Sequence, residues 1–155
     1  MRRLDLRSLR FDESGETWRR LPVEVAPFVF GGIEYELVGD AVDLLLTAGR
    51  VGGNVTLVAE FEADVVGPCQ RCLAEAVVPV RVRAVEYAHH GESEVDDEDA
   101  VGYVSANVLD VERWTRDLIA EALPDKLLCG GDCRGLCPEC GVDLNADPGH
   151  RHGAT

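Results

Sequence analysis

Two runs of alternating apolar and polar residues lie on either side of a short turn, and they restrict this part of the chain to an antiparallel pairing. Within each run the apolar residues share one face of a strand: Val55, Leu57, Ala59, Phe61, Ala63 and Val65 in the first, and Val78, Val80, Val82 and Ala84 in the second. A hairpin about residues 67–76 would place Glu62 near Arg81 on the solvent face. It would also place Glu60 near Arg83, so two independent patterns predict the same hairpin.

The remaining patterns predict an α+β fold. Residues 34–38 and 42–47 are typical of further strands, with glycine-containing turns at 31–32, 39–40 and 52–54. One amphipathic helix is expected on an apolar face made by Val111, Trp114, Leu118, Ile119, Ala122 and Leu123. Asp110 can cap this helix and Pro124 ends it, while Trp114 is expected in the core and Glu112 is expected to pair with Arg116. The fold predicted is an antiparallel β-sheet with one main helix and a C-terminal zinc-binding loop.

Four thiols lie within twelve residues near the C-terminus: Cys129, Cys133, Cys137 and Cys140. Zinc takes four soft ligands at tetrahedral corners, and a glycine-rich loop can supply all of them. The turn Cys137-Pro-Glu-Cys140-Gly is typical of a zinc knuckle. The sequence therefore predicts a local structural zinc site, and four thiolates leave no open position for catalysis.

A second Cys-x-x-Cys pair, Cys69 and Cys72, lies at the predicted hairpin turn. Strands on both sides disfavour a thioredoxin-like redox site, which needs a helix N-terminus. The alternative to the local site is a shared one, in which this pair and Cys137/Cys140 hold the metal and Cys129/Cys133 are spare. His150 and His152 could replace a ligand, although a mobile polar tail is the commoner case. The histidines at 89–90 are expected to be solvated.

Charge is unevenly distributed along the chain. The formal net charge is −14, and residues 86–125 carry 12 acidic and 2 basic side chains. Residues 91–102 hold six carboxylates with almost no large apolar side chain and are predicted to form an acidic loop. This balance disfavours direct contact with RNA and favours a basic partner, bound by the acidic segment together with Glu112, Asp117 and Glu121.

The N-terminal arginines give RNA contact an alternative route. Arg2, Arg3, Arg7 and Arg10 could bind phosphates, but a mixed-charge edge strand explains them more simply. No secretory signal or membrane-spanning stretch is found, so we expect a cytoplasmic protein with no membrane partner. The common nucleophile, phosphate-binding, dinucleotide and metalloprotease motifs are absent from the sequence, and no catalytic residues are predicted.

Several of these segments together resemble the YceD family of bacterial proteins. The resemblance is carried by Gly67-Pro-Cys69-Gln-Arg-Cys72-Leu73 before a valine-rich strand, the acidic insert, the helix ending in Pro124, and Cys133-Arg-Gly-Leu-Cys137-Pro-Glu-Cys140-Gly-Val-Asp-Leu-Asn145. It implies a non-enzymatic role in accumulation of large-subunit ribosomal RNA. Together with the charge, it suggests a factor that binds a basic ribosomal protein or a large-subunit assembly intermediate.

Two further hypotheses concern the function of the thiols and the domain organisation of the chain. The competing function is a redox-responsive structural zinc protein, whose thiols regulate partner binding when oxidation releases the metal. For domain organisation, residues 1–125 are predicted to form the β-rich α+β domain with its acidic loop. Residues 126–155 are predicted to form a zinc loop and tail packed on that same domain.

Overall fold

The computed structural model describes residues 2–88 and 102–152 and consists mostly of antiparallel β-sheet with one α-helix. This confirms the predicted fold class. The acidic loop, except for Gly102, and the histidines at 89–90 lie outside the described residues. In chain order the elements are β1 (Arg3–Asp5), a 3-10 helix (Leu6–Ser8), β2 (Glu16–Val23), β3 (Phe28–Phe30), β4 (Ile33–Leu37), β5 (Val42–Val51), β6 (Asn54–Pro68), β7 (Glu75–Ala88), β8 (Val104–Ser105), β9 (Val108–Asp110) and α1 (Val111–Ala122).

The predicted hairpin is the longest feature of the sheet. β6 and β7 pair antiparallel from Val55 opposite Ala88 to Pro68 opposite Glu75. Both expected charge pairs form on the outer face, with Nε–Oε1 distances of 2.7 Å for Arg83 to Glu60 and 3.0 Å for Arg81 to Glu62. The strands run closer to the turn than predicted, which leaves residues 69–74 as its tip.

The other edge of β6 is divided between two strands. β5 pairs with its first half and β4 with Val65 and Val66, while β2 and β3 complete the six-stranded sheet. A separate three-stranded sheet has the order β1-β9-β8. The sequence analysis missed this small sheet because strands of two or three residues are too short to show a period.

The helix packs on the inner face of the large sheet, where Trp114 is only 1% exposed, as expected for a core residue. Asp110 caps it, since its carboxylate accepts a hydrogen bond from the Arg113 N–H at 3.1 Å. The predicted pair of Glu112 with Arg116 is wrong. Glu112 instead binds Arg2 at 2.8 Å, and Arg116 donates to the carbonyl of Pro27, because packing against β1 and β3 offers closer partners.

The C-terminal segment after α1 consists of turns held by a few backbone hydrogen bonds, with a single β-bridge between Leu136 and Asp143. It lies against the tip of the β6–β7 hairpin, where a small core cluster of Cys69, Cys72, Ala76 and Cys133 is separate from the main core. The division of the chain after residue 125 stays a prediction. Across residues 2–88 and 102–152, no helix is long and apolar enough to cross a membrane.

Candidate metal centres

The six cysteines and two of the histidines form two groups of four. Cluster A consists of Cys69, Cys72, Cys129 and Cys133, and cluster B consists of Cys137, Cys140, His150 and His152. Within each cluster all four ligand atoms lie within 4.8 Å of one another. Both clusters could therefore hold a metal ion.

This grouping differs from both ligand sets considered above. The four C-terminal thiols Cys129, Cys133, Cys137 and Cys140 do not form one site, because the structure divides them after Cys133. Cys69 and Cys72 do join C-terminal cysteines, but they join Cys129 and Cys133 and not Cys137 and Cys140. The physical reason is that the hairpin tip, through Arg71, contacts the loop at residues 133–136. Cys137 and Cys140 lie beyond this contact and meet the histidines at 150 and 152 instead. That these residues are metal ligands stays a prediction.

Each cluster is built on a Cys-x-x-Cys turn, and the two turns have the same backbone geometry. In the first, the Cys69 N–H donates to the Ala74 carbonyl at 2.7 Å and the Leu73 N–H donates to the Cys69 carbonyl at 2.9 Å. In the second, the Cys137 N–H donates to Val142 and the Gly141 N–H donates to Cys137, both at 2.8 Å. The residue after the second cysteine has positive φ in both turns, 63° at Leu73 and 74° at Gly141. Both turns therefore have the geometry expected of a zinc knuckle.

The thiols of cluster A have the spacing of a tetrahedral metal site. Cys69 Sγ lies 3.8 Å from Cys133 Sγ, and Cys72 Sγ lies 3.5 Å from Cys129 Sγ. Four sulfurs at about 2.3 Å from a zinc ion would be separated by about 3.8 Å. Three of the four cysteines are buried, and only Cys129 is exposed. Cluster A is thus mostly buried, with one exposed ligand.

Arg71, between the two hairpin cysteines, fixes the C-terminal loop against the turn. Its guanidinium donates to the Cys133 carbonyl at 2.8 Å, and its own carbonyl accepts from the Leu136 N–H at 3.1 Å. Gly135 lies so close that a Cβ there would be 3.0 Å from the Arg71 carbonyl oxygen. Residues 133–136 are therefore held to the hairpin tip even without their side chains.

Neighbouring thiols in cluster A oppose one another's ionisation, and a bound cation would relieve this repulsion. Burial raises the pKa of Cys69, but the N–H groups of Cys72, Arg71 and Cys129 outweigh it and lower the pKa to about 6. In contrast, the neighbouring thiols of Cys72, Cys133 and Cys69 raise the pKa of Cys129 to about 12. One thiolate thus opposes ionisation of the next. A divalent cation between the sulfurs would remove this repulsion, since metal coordination deprotonates thiols.

Cluster B has two sulfur and two nitrogen donors. Cys137 Sγ lies 3.1 Å from His152 Nε2, Cys140 Sγ lies 3.2 Å from His150 Nε2, and the two Nε2 atoms are 3.2 Å apart. The hydrogen bond from His152 lowers the pKa of Cys137 to about 6, helped by the N–H groups of Cys140 and Glu139. Cys140 is exposed and Cys137 is buried, so this cluster is nearer the surface than cluster A.

A carboxylate lies behind each imidazole of cluster B. His152 Nδ1 is 3.3 Å from a Glu139 oxygen, and His150 Nδ1 is 3.8 Å from an Asp147 oxygen. Metal-binding histidines usually donate their second ring N–H to such a group, which fixes the tautomer and turns the other nitrogen toward the metal. The Nε2 atoms of both rings face the thiols, as this arrangement requires.

The sequence analysis treated His150 and His152 mainly as part of a mobile tail. The chain has six cysteines and four histidines, and the six thiols together with the two C-terminal imidazoles make eight donors, enough for two tetrahedral sets. The eight residues also occur as four close pairs along the chain. What the sequence did not indicate is which pairs combine.

The chain matches the model of a known protein family. The model of the family described as large ribosomal RNA subunit accumulation protein YceD matches residues 57–154, a segment that contains both clusters. The chain belongs to the YceD family, which confirms the resemblance drawn from its motifs.

The curated relatives that match are mycobacterial proteins named as uncharacterized. Those of Mycobacterium tuberculosis strain H37Rv and of Mycobacterium bovis are 38% identical over 117 residues, covering 74% of this chain and 56% of each relative. That of Mycobacterium leprae is 32% identical over 126 residues, covering 78% of this chain and 58% of the relative. This chain thus spans less than two thirds of the length of these relatives. No solved structure matches it.

Proposed function

We propose that this chain is a non-enzymatic ribosome biogenesis factor that supports accumulation of large-subunit ribosomal RNA. Membership of the YceD family, over a segment that includes both Cys/His clusters, is the observation that carries this proposal. The family description refers to accumulation of an RNA and to no reaction.

The partner we propose is a basic ribosomal protein, either free or within a large-subunit assembly intermediate. A net charge of −14 opposes encounter with bare RNA and favours a cationic surface. Of the three helix carboxylates considered, Glu112 already binds Arg2 and Asp117 lies 3.8 Å from Arg113. Glu121 is exposed and makes no ion pair within the described residues, so it is the helix carboxylate most available to a basic partner.

The N-terminal arginines are less suited to RNA binding than their number suggests. Arg2 pairs with Glu112, and Arg7 forms a 2.7 Å pair with Asp5. Arg3 and Arg10 are exposed. Two separated cations provide little of the counterion release that drives binding to a phosphate backbone.

Both clusters are proposed to hold structural zinc. Thiolates and imidazoles are the ligands that zinc prefers, and four protein ligands at each ion leave no position for a catalytic water. Six thiolates contribute −6 and two zinc ions +4, so the formal charge changes from −14 to −16. Metal binding therefore strengthens the preference for a basic partner.

The biogenesis role is tested by depleting the protein in its host. We expect large-subunit ribosomal RNA to fall relative to small-subunit RNA, with fewer free large subunits on a sucrose gradient. Re-expression of the wild-type chain should restore the ratio. An unchanged RNA ratio after complete depletion would refute the proposed role.

The partner is tested with purified large-subunit ribosomal proteins and labelled wild-type chain. A variant with Asp96→Asn, Asp97→Asn and Glu121→Gln should bind its partner several-fold more weakly, and the difference should shrink at high salt. The matched control neutralises three exposed carboxylates elsewhere, Glu34→Gln, Glu36→Gln and Asp40→Asn, and should bind like the wild type. Equal loss in both variants would mean that only total charge matters.

The redox alternative is favoured by the proximity of the thiols, which are 3.5 Å apart at Cys72 and Cys129. Peroxide would convert two thiolates to a disulfide and be reduced to water, and the zinc would leave. Mild peroxide should then release zinc and change partner binding, with reversal by a dithiol reductant and added zinc. Partner binding that is unchanged after zinc release would exclude this function.

A further inference from the structure

Cluster A and cluster B differ in how they are attached to the protein, and this difference sets an order of metal binding. The inference rests on the zinc binding proposed above. Cys69 and Cys72 are carried by the turn of the β6–β7 hairpin, whose strands pair from Val55 opposite Ala88 to Pro68 opposite Glu75 and contain no ligand of either cluster. Half of cluster A is therefore present in position as soon as the sheet has folded.

Cluster B has no ligand on the sheet. Its cysteines lie on the turn at 137–142 and its histidines on the tail, and the contacts that tie this segment to the rest of the protein run through residues of cluster A or next to them. Leu136 donates its N–H to Arg71, and the Asn145 amide lies 3.6 Å from Cys133 Sγ while its side-chain oxygen accepts from the Arg134 N–H. Cluster B is thus positioned through the loop that cluster A fixes.

Cluster A depends little on cluster B for its position. The thiols of cluster A are held to the sheet by the hairpin, by Arg71 and by the Gln70 N–H bond to the Leu127 carbonyl. None of these contacts involves residues 137–152, whose contact with a cluster A thiol is the Asn145 amide at Cys133 Sγ. The tail, residues 144–152, is held mainly by residues 133–143: Leu144 N–H donates to Gly135, the Arg134 guanidinium donates to the Pro148 carbonyl, and the Asp147 N–H donates to Asp143. Release of the tail would leave the contacts of cluster A with the sheet in place.

We propose that the chain binds two zinc ions in sequence: cluster A binds first and is required for cluster B, while cluster B is a dispensable clasp that closes the C-terminal tail. Glu139 and Asp147 are positioning residues of the clasp, since their carboxylates lie behind the two imidazoles. Metal at cluster A fixes residues 129–136, and only then are Cys137 and Cys140 held where the histidines can meet them.

Zinc content of purified full-length variants tests this order. Wild type should hold two zinc ions per chain, and His150→Gln with His152→Gln should hold one. Cys129→Ser with Cys133→Ser should hold none, although Cys137, Cys140 and both histidines remain. One zinc retained in that variant would mean independent sites, and none in the histidine variant would mean mutual dependence. Either result overturns the proposal.

Cobalt titration of metal-free wild type gives a second reading that does not depend on a variant folding. The first equivalent should show the strong sulfur-to-metal charge-transfer band of a four-thiolate site, and the second should add the weaker band of a two-sulfur, two-nitrogen site. The opposite order, or both bands rising together from the start, would overturn the proposal. Wild type that binds no metal would refute it together with structural zinc, while leaving the ribosomal RNA test unaffected.

The positioning role is tested by Glu139→Gln in the same titration. We expect the cobalt dissociation constant of cluster B to rise about tenfold, the lower end of the range for loss of such a partner, with cluster A unchanged. Asp125→Asn, an exposed carboxylate outside the clasp, is the matched control. Equal affinities in the two variants would show that Glu139 does not position His152.

Discussion

At the scale of single residues, Gly67 is the glycine, among those described, that leaves least room for a side chain. It lies in β6 directly beneath the buried ring of Tyr35, where an added Cβ would be 2.2 Å from Cδ1. The Tyr35 hydroxyl also donates to the Pro68 carbonyl at 3.1 Å, so the ring cannot move aside without losing this bond. Glycine is needed here for close packing of a ring on a strand.

We therefore expect Gly67→Ala to lower the free energy of unfolding by about 1–3 kcal/mol, the usual cost of overpacking a filled core. Urea unfolding measures it. Gly49→Ala is the matched control, because Gly49 also lies in a strand but has no heavy atom within 4 Å of the position that an added methyl group would take. An equal loss in both variants would mean that the effect comes from strand glycines in general and not from Tyr35.

At the scale of the elements, one side-chain hydrogen bond caps the N-terminus of the helix. The Asp110 carboxylate accepts a hydrogen bond from the Arg113 N–H. Asp110 is also the last residue of β9, and its own N–H donates to the Tyr103 carbonyl. The cap thus joins the small sheet to the helix that fills the main core. Without it, one donor of the first turn would have no side-chain acceptor.

Asp110→Ala should reduce stability by about 1 kcal/mol, whereas Asp110→Asn should retain most of it because an amide oxygen can still accept. Thermal unfolding followed by circular dichroism compares the two variants. If Asn were as destabilising as Ala, the contribution would come from the charge near the helix N-terminus and not from the hydrogen bond.

The elements also show what could be inferred from the sequence and what could not. The hairpin register followed from side-chain alternation, because a shift by one residue would put Phe61 in water and Glu60 in the core. The helix followed from spacing and from Asp110. The partner of Glu112 did not, since Arg2 reaches it only after β1 pairs with β9. Likewise, Cys129 meets Cys72 only through tertiary packing, and local spacing favoured the nearer thiols.

At the scale of the whole molecule, the sheets and the helix form a body with one main core, and the C-terminal loop carries six of the eight residues of the two candidate metal clusters. The main core includes Trp114 and Leu127, while the three buried cysteines of cluster A form a small cluster of their own with Ala76. A loop with so few apolar contacts gains little from burial, so we expect the proposed zinc ions to supply much of its stability. The body, in contrast, has a large buried apolar core, so we expect it to fold without metal.

Chelation of zinc should therefore open the loop and spare the body. We expect trypsin to cleave much faster after Lys126 and Arg134 once a strong chelator is added, and excess zinc to reverse this. In a Trp18→Phe variant, Trp114 is the only tryptophan, because the chain has two and Trp18 is an exposed residue of the sheet. Its emission maximum should stay that of a buried ring. A red shift on chelation would contradict the division, since it would mean that the metal ions hold the helix on the sheet, while an unchanged digestion pattern would mean that the loop is stable without them.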